Sequence, residues 1–135
     1  MYLTIKQQLN HLSKEEYEIL RELSHVAKNL KNEALYNVRQ HFFNTGKYLS
    51  YNQNYHLLKN SENYKILNSN MAEQIIKKVA SDFQSFFELL KRKNNGKYDA
   101  KVHIPQYLPK DGLTILIIGM VRLKEDTFVL PYSRS

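Results

Sequence analysis

Between residues 70 and 93, apolar side chains recur at Ala72, Ile75, Ile76, Val79, Phe83, Phe86, Phe87 and Leu90. Steps of three and four place them on one face of an α-helix. A stripe this bulky has to be buried, so a second element of comparable length must cover it. Asn70 with Glu73 predicts the start of this helix. Lys91-Arg92-Lys93 before Asn94-Asn95-Gly96 predicts its end, with cations at the negative pole of the helix dipole and a glycine free to turn left-handed. The covering element is expected earlier in the chain. Ser13-Lys14-Glu15-Glu16 is a capping box. Leu20, Leu23, Ala27, Leu30, Ala34, Val38 and Phe42 follow on one face, and Gly46 is a natural stop. Periodicity leaves open whether this helix is continuous or breaks near residues 29–32.

Between the two long helices, Ser50 and Ser61 predict caps for two short ones. At the ends the pattern changes. Tyr2 to Lys6 alternates and predicts a short strand. Thr114 to Leu123 and Thr127 to Leu130 predict two strands joined by a Lys-Glu-Asp turn. The first is apolar at nearly every position, which predicts burial on both faces. The expected fold is therefore α+β and mostly α: a bundle of two long and two short helices, an N-terminal strand and a C-terminal β-hairpin forming part of a barrel. Residues 1–12 hold the first strand, 13–96 the helices, and 97–135 a basic arm and an incomplete hairpin, as though the chain stopped in the middle of a sheet. An apolar edge strand of that kind invites pairing with a second copy, so a homodimerising interaction module is an alternative expectation.

The chain has 135 residues, 42% of them hydrophobic, enough for one core. Zero cysteines exclude disulfides and thiolate metal sites and fit a reducing, cytoplasmic setting. The opening turns polar too early for a signal peptide. The apolar run from Ile115 to Val121 is too short to span a bilayer, so a soluble protein is expected. Net charge is +7, which points to a polyanionic partner. The surplus is local. From Ser13 to Thr45, five basic residues face five acidic ones; from Lys77 to Lys110, eight face three.

No catalytic constellation emerges. His11, His25, His41, His56 and His103 lack ligand spacing, and no glycine-rich phosphate loop or nucleophile elbow is present. No metal, cofactor or enzyme activity is expected of this chain. Tyr36, Tyr48, Tyr51, Tyr55 and Tyr64 are expected to fill a half-wet core with their hydroxyls outward, the alternative being stacking on bases. The basic run carries the functional expectation. Lys91, Arg92 and Lys93 continue past the helix through Lys97, Lys101 and Lys110, interleaved with Tyr98 and Tyr107 and stiffened by Pro105 and Pro109. Ammonium groups there can neutralise phosphates, and the aromatics can stack. Lys77, Lys78 and Arg39 complete the candidate nucleic-acid contacts.

Three stretches resemble a known family: HLSKEEYEILRELSHVAKNLKNEALYNVRQHFF, then SENYKILNSNMAEQIIKKVASDFQSFFELLKRKNNGKYDAKVHIPQYLPKDG, then FVLPYSRS. Together they are similar to the N-terminal third of the TnpB (OrfB) transposase-associated proteins, RNA-guided DNA nucleases of insertion sequences. The most specific pieces are NEALYNVRQHFF, SFFELLKRK and IPQYLPKDG. The resemblance implies a wedge-type barrel built from the terminal strands, with the helices inserted as a recognition lobe. It implies contacts to guide RNA and to DNA beside the target, and relates the first forty residues to a stretch often labelled a helix-turn-helix. The family's acidic metal ligands and CxxC pairs have no counterpart in this sequence. What the resemblance implies here is binding without cleavage.

Overall fold

Ser13 starts the first helix by local chemistry alone. Its hydroxyl accepts from the Glu16 backbone N–H at 3.0 Å, and the Glu16 carboxylate accepts from the Ser13 N–H at 3.1 Å. The bond from the Ser13 backbone, with a smaller contribution from the Ser13 side chain, holds the Glu16 carboxyl below its ordinary range. The computed structural model describes residues 4, 6, 8–118, 122–124 and 127–129. Helix α1 runs unbroken over Lys14–Thr45, so the stretch likened to a helix-turn-helix is one continuous helix. Gly46, at φ 70°, ends it in the left-handed region.

Helix α2 spans Tyr51–Leu58 behind a second capping box, Ser50 with Gln53. Helix α3 spans Glu62–Ile66. Ser61 precedes α3 without capping it through its side chain. Its hydroxyl instead donates to Glu33 of α1 at 3.0 Å, and the Asn63 amide donates to the same carboxylate. Helix α4 spans Ser69–Asn94, and its N-cap is Asn68 rather than the expected Asn70: the Asn68 side chain accepts from Met71 N–H at 2.9 Å.

Helices α1 and α4 pack face to face, with α2 against both and α3 closing the bundle. Leu23, Ala27, Leu30, Ala34, Val38, Ile75, Ile76, Val79, Phe83 and Phe86 are buried together. Each large side chain fully buried there contributes roughly 1.5–3 kcal/mol. Asn54 of α2 is buried too, donating to Ala34 O at 3.2 Å and accepting from the Asn37 amide at 3.0 Å, which pins α2 onto α1. Among the described residues no helix is long and apolar enough to cross a membrane.

The α+β expectation is overturned. The described residues are mostly helical and build no barrel and no sheet layer. The one ladder pairs β1, Arg122–Lys124, with β2, Thr127–Val129, three residues a side. So short a ladder is no hairpin of the expected size and offers little edge for a second copy. Thr4 and Lys6 carry no strand; the rest of the expected first strand, the Lys-Glu-Asp turn beyond Lys124 and the closing PYSRS lie outside the described residues.

Residues 114–118 are irregular where a strand was expected, and burial falls on one face only. Leu116 and Ile118 pack against the helical core, while Leu113, Ile115 and Ile117 are exposed. The physical reason lies in α1, which supplies the partners a neighbouring strand would. The Asn32 amide donates to Leu108 O at 3.0 Å, and its oxygen accepts from Leu108 N–H at 2.9 Å. Lys28, only 3% exposed, donates to Lys110 O at 2.6 Å. Arg39 donates to Pro105 O at 2.9 Å, and Thr114 N–H reaches Ser24 O at 3.4 Å. Residues 102–118 are therefore a strap lying antiparallel along α1.

Two outcomes follow. Phe83→Ala should lower stability by about 3–5 kcal/mol in urea unfolding, and a loss under about 1 kcal/mol would place Phe83 outside the core. Asn32→Ala leaves both backbone groups of Leu108 without their partner, a cost of about 1–3 kcal/mol, and should speed amide hydrogen exchange in residues 105–114 more than in α4. Uniform acceleration across both would show that the strap has no separate anchorage.

Candidate nucleic-acid interface

The basic end of α4 is shaped by the way the helix stops. Gly96 adopts φ 73°, its N–H donates to Lys93 O at 3.0 Å, and Lys97 N–H donates to Arg92 O at 2.8 Å. That pair of bonds is the Schellman motif, which only a residue comfortable in the left-handed region completes without strain. It folds Lys97 back onto the last turn, beside Lys91, Arg92 and Lys93. All four are exposed, as is Lys101 further along, and none of the five makes an ion pair among the described residues. Tyr98 sits among them, half-buried.

The other candidates lie elsewhere. Lys78 pairs with Asp82 at 3.1 Å, and Lys31 of α1 reaches the same carboxylate at 4.0 Å. The Lys77 ammonium lies 5.9 Å from the centre of the Tyr51 ring. Arg39 bonds to the strap and lies between two rings, Tyr107 at 4.8 Å and Phe43 at 5.7 Å. Arg39 and Tyr107 thus brace the strap against α1. The backbone of Lys110 is held by Lys28, fourteen residues before Phe42 and so about 20 Å along α1 from the end that meets the α4 aromatics. The expected arm is divided: four cations gather around the end of α4, Lys101 follows in the exposed stretch after it, and the later part is bound to the bundle.

Behind those cations the helix is packed on aromatic rings. Phe42 of α1 meets Phe86 edge-on at 6.3 Å and Phe87 at 5.2 Å, and Phe83, Phe86 and Phe87 contact one another. Tyr48, just past the Gly46 turn, packs edge-on against Phe87 at 5.8 Å. A cleft of about 590 Å³ opens there, lined by Tyr48, Gln84, Phe87, Glu88 and Lys91. Sequence reasoning did not find it, although Gln84, Phe87, Glu88 and Lys91 share one helical face; the missing piece was the loop that returns Tyr48 to that face. It also missed Lys28 and Asn32 as anchors. Lys28 carried one signal, a lone cation beside Val26, Ala27 and Leu30 on an apolar face.

Of the other tyrosines expected to fill a half-wet core, Tyr51, Tyr55 and Tyr64 pack together, whereas Tyr36 is 56% exposed. Tyr64 is buried, edge-on to Tyr55 at 6.0 Å, and Tyr55 stacks with Tyr51 at 6.4 Å. Burial also raises the Tyr48 and Tyr51 phenols above their ordinary values. Among the described residues no three His, Asp or Glu side chains come together as a metal site would need. No family model, curated protein or solved structure matches this chain.

Burial, with smaller contributions from Tyr55 and Glu73, pushes the Tyr64 phenol up to about 12. Its folded value lies above the unfolded value of about 10, so its contribution to stability is fully present below pH ~10 and lost as pH rises toward ~12. In an alkaline titration followed by phenolate absorbance, Tyr64→Phe should remove a step near the top of the curve and flatten the loss of stability between those values. Superposable curves for the two proteins would contradict that environment.

Proposed function

We propose that this chain binds the sugar–phosphate backbone of nucleic acid through the end of α4 and the turn that follows it. On the resemblance in the sequence, it does so as the RNA- and DNA-contacting N-terminal part of a TnpB-like, transposon-encoded protein acting in the cytoplasm. The observation that supports this most is the contrast between two sets of cations. Lys28 and Arg39 hold the strap, and Lys31 and Lys78 face Asp82. Lys91, Arg92, Lys93, Lys97 and Lys101 are exposed and face no carboxylate within ion-pair distance among the described residues. Clustered like charge has a cost in a fold unless a polyanion relieves it, and phosphates spaced along a strand match such a cluster.

The same arrangement suits positioning rather than sequence reading. Ammonium groups hold phosphates without distinguishing bases. Cleavage is not proposed for this chain. Asp82, the acid central to α4, already has two cations beside it.

Salt dependence tests the role directly. Each phosphate neutralised releases condensed counterion, so the slope of log affinity against log salt should fall by about 0.7–0.9 per contact removed. Changing Lys91, Arg92, Lys97 and Lys101 together to Glu should weaken binding to structured RNA across many sequences and flatten the slope. Changing Lys14 and Arg21, exposed at the other end of α1, to Glu should have a much smaller effect. Wild-type affinity and slope in the fourfold variant would show that the cluster is only a solvated helix end.

A further inference from the structure

The cleft beside Tyr48 has the chemistry of a pocket for one unstacked base, and we infer that it takes a single nucleobase from a strand whose phosphates lie on the α4 cations. This rests on the backbone-binding role proposed above and names the part of the ligand that role leaves unassigned.

The walls favour a flat aromatic occupant. Tyr48 is 39% exposed and Phe87 is half-buried, their rings nearly perpendicular at 88° and 5.8 Å apart. Phe87 is fixed from behind by Phe42, Phe83 and Phe86, so one wall is rigid and the Tyr48 ring stands against it. At about 590 Å³ the cleft falls within the range of about 300–1,000 Å³ usual for small-molecule sites. Gln84 and Glu88, both exposed and one turn apart on α4, line the cleft beside the aromatics. An amide offers both donor and acceptor to a base edge, and a carboxylate accepts from an exocyclic amine or a ring N–H.

Charge decides the class of occupant. Lys91 lines the cleft one turn beyond Glu88, and Arg92, Lys93 and Lys97 follow it at the helix end. A neutral apolar ligand would leave those cations unused, and an acidic peptide would meet the Glu88 carboxylate. A nucleotide satisfies both halves, its base facing Glu88 and its phosphate facing Lys91. Double-stranded nucleic acid keeps its bases stacked and paired, so the pocket selects single-stranded or looped segments, as aromatic platforms do elsewhere.

The test uses the full chain and three 12-mers with equal numbers of phosphates per strand: single-stranded RNA, the same backbone made abasic, and a blunt RNA duplex. The base-bearing single strand should bind about tenfold or more tighter than the abasic one, on the scale of one stacked base. Tyr48→Ala should bring that ratio close to one, and Tyr48→Phe should keep it, with thermal melting showing that both variants fold. Independently of any variant, a single 2-aminopurine in the strand should lose fluorescence further on binding wild-type protein if it stacks in the cleft. Equal affinity for base-bearing and abasic strands would overturn the pocket and leave backbone binding standing. A preference that survives Tyr48→Ala would place base stacking elsewhere and also overturn it. Failure to bind any of the three would remove the backbone-binding role together with the pocket.

Discussion

The contact between α1 and α4 holds the rest of the molecule in place. Leu30, Ala34 and Val38 on one helix and Ile76, Val79 and Phe83 on the other are buried in a single core. Alanines at 27, 34 and 72 leave room for the helices to approach, and Phe42 carries the contact on to the end of α4 through Phe86 and Phe87. Because that aromatic cluster sits directly beneath the last turns of α4, the cations there project from a fixed base rather than from a fraying end. The same cluster supports the ring of Tyr48. Core and candidate interface are thus consecutive stretches of one helix: apolar residues first, then lysines and arginine where the dipole favours them.

A second consequence of that packing is the surface of α1 left for the strap. A run rich in Ile and Leu favours extended backbone but does not specify what it lies against. Here three polar side chains of one helix, Lys28, Asn32 and Arg39, take the strap's backbone groups, while alternate apolar residues reach the core. Burying the Lys28 ammonium carries a desolvation cost that its 2.6 Å bond to Lys110 O offsets. The arrangement fastens the stretch after the basic turn, so Lys97 and Lys101 lie between two anchored elements.

What the sequence disclosed followed the range of the interaction responsible. Capping at Ser13 and Ser50, the Gly46 stop and the two apolar stripes depend on residues three or four apart, and each was legible from spacing. The start of α4 was misplaced by two residues because asparagine stands at both 68 and 70, either side of Ser69, and both asparagines suit a cap. The strap was not legible. Its bonds join residues 66 to 90 positions apart, and nothing local marks Asn32 as the partner of Leu108. Reading 114–123 as a doubly buried strand gave a sheet because strand propensity was taken to imply a strand partner. For the interface, the residue types were visible but their division was not: Arg39 and Tyr107 differ from Lys91 and Lys97 only through contacts across the fold.

The most direct measurement of the central claim is to map which residues respond when RNA binds. With the full chain labelled for backbone amide spectra and titrated with a single-stranded 12-mer, the largest shifts should fall at residues 84–101 and around Tyr48. Residues 14–25 at the far end of α1 should stay near their free positions, and the pattern should fade as salt is raised. Shifts concentrated on residues 14–25, or no saturable shifts at low salt, would contradict the assignment of the α4 end as the surface that meets nucleic acid.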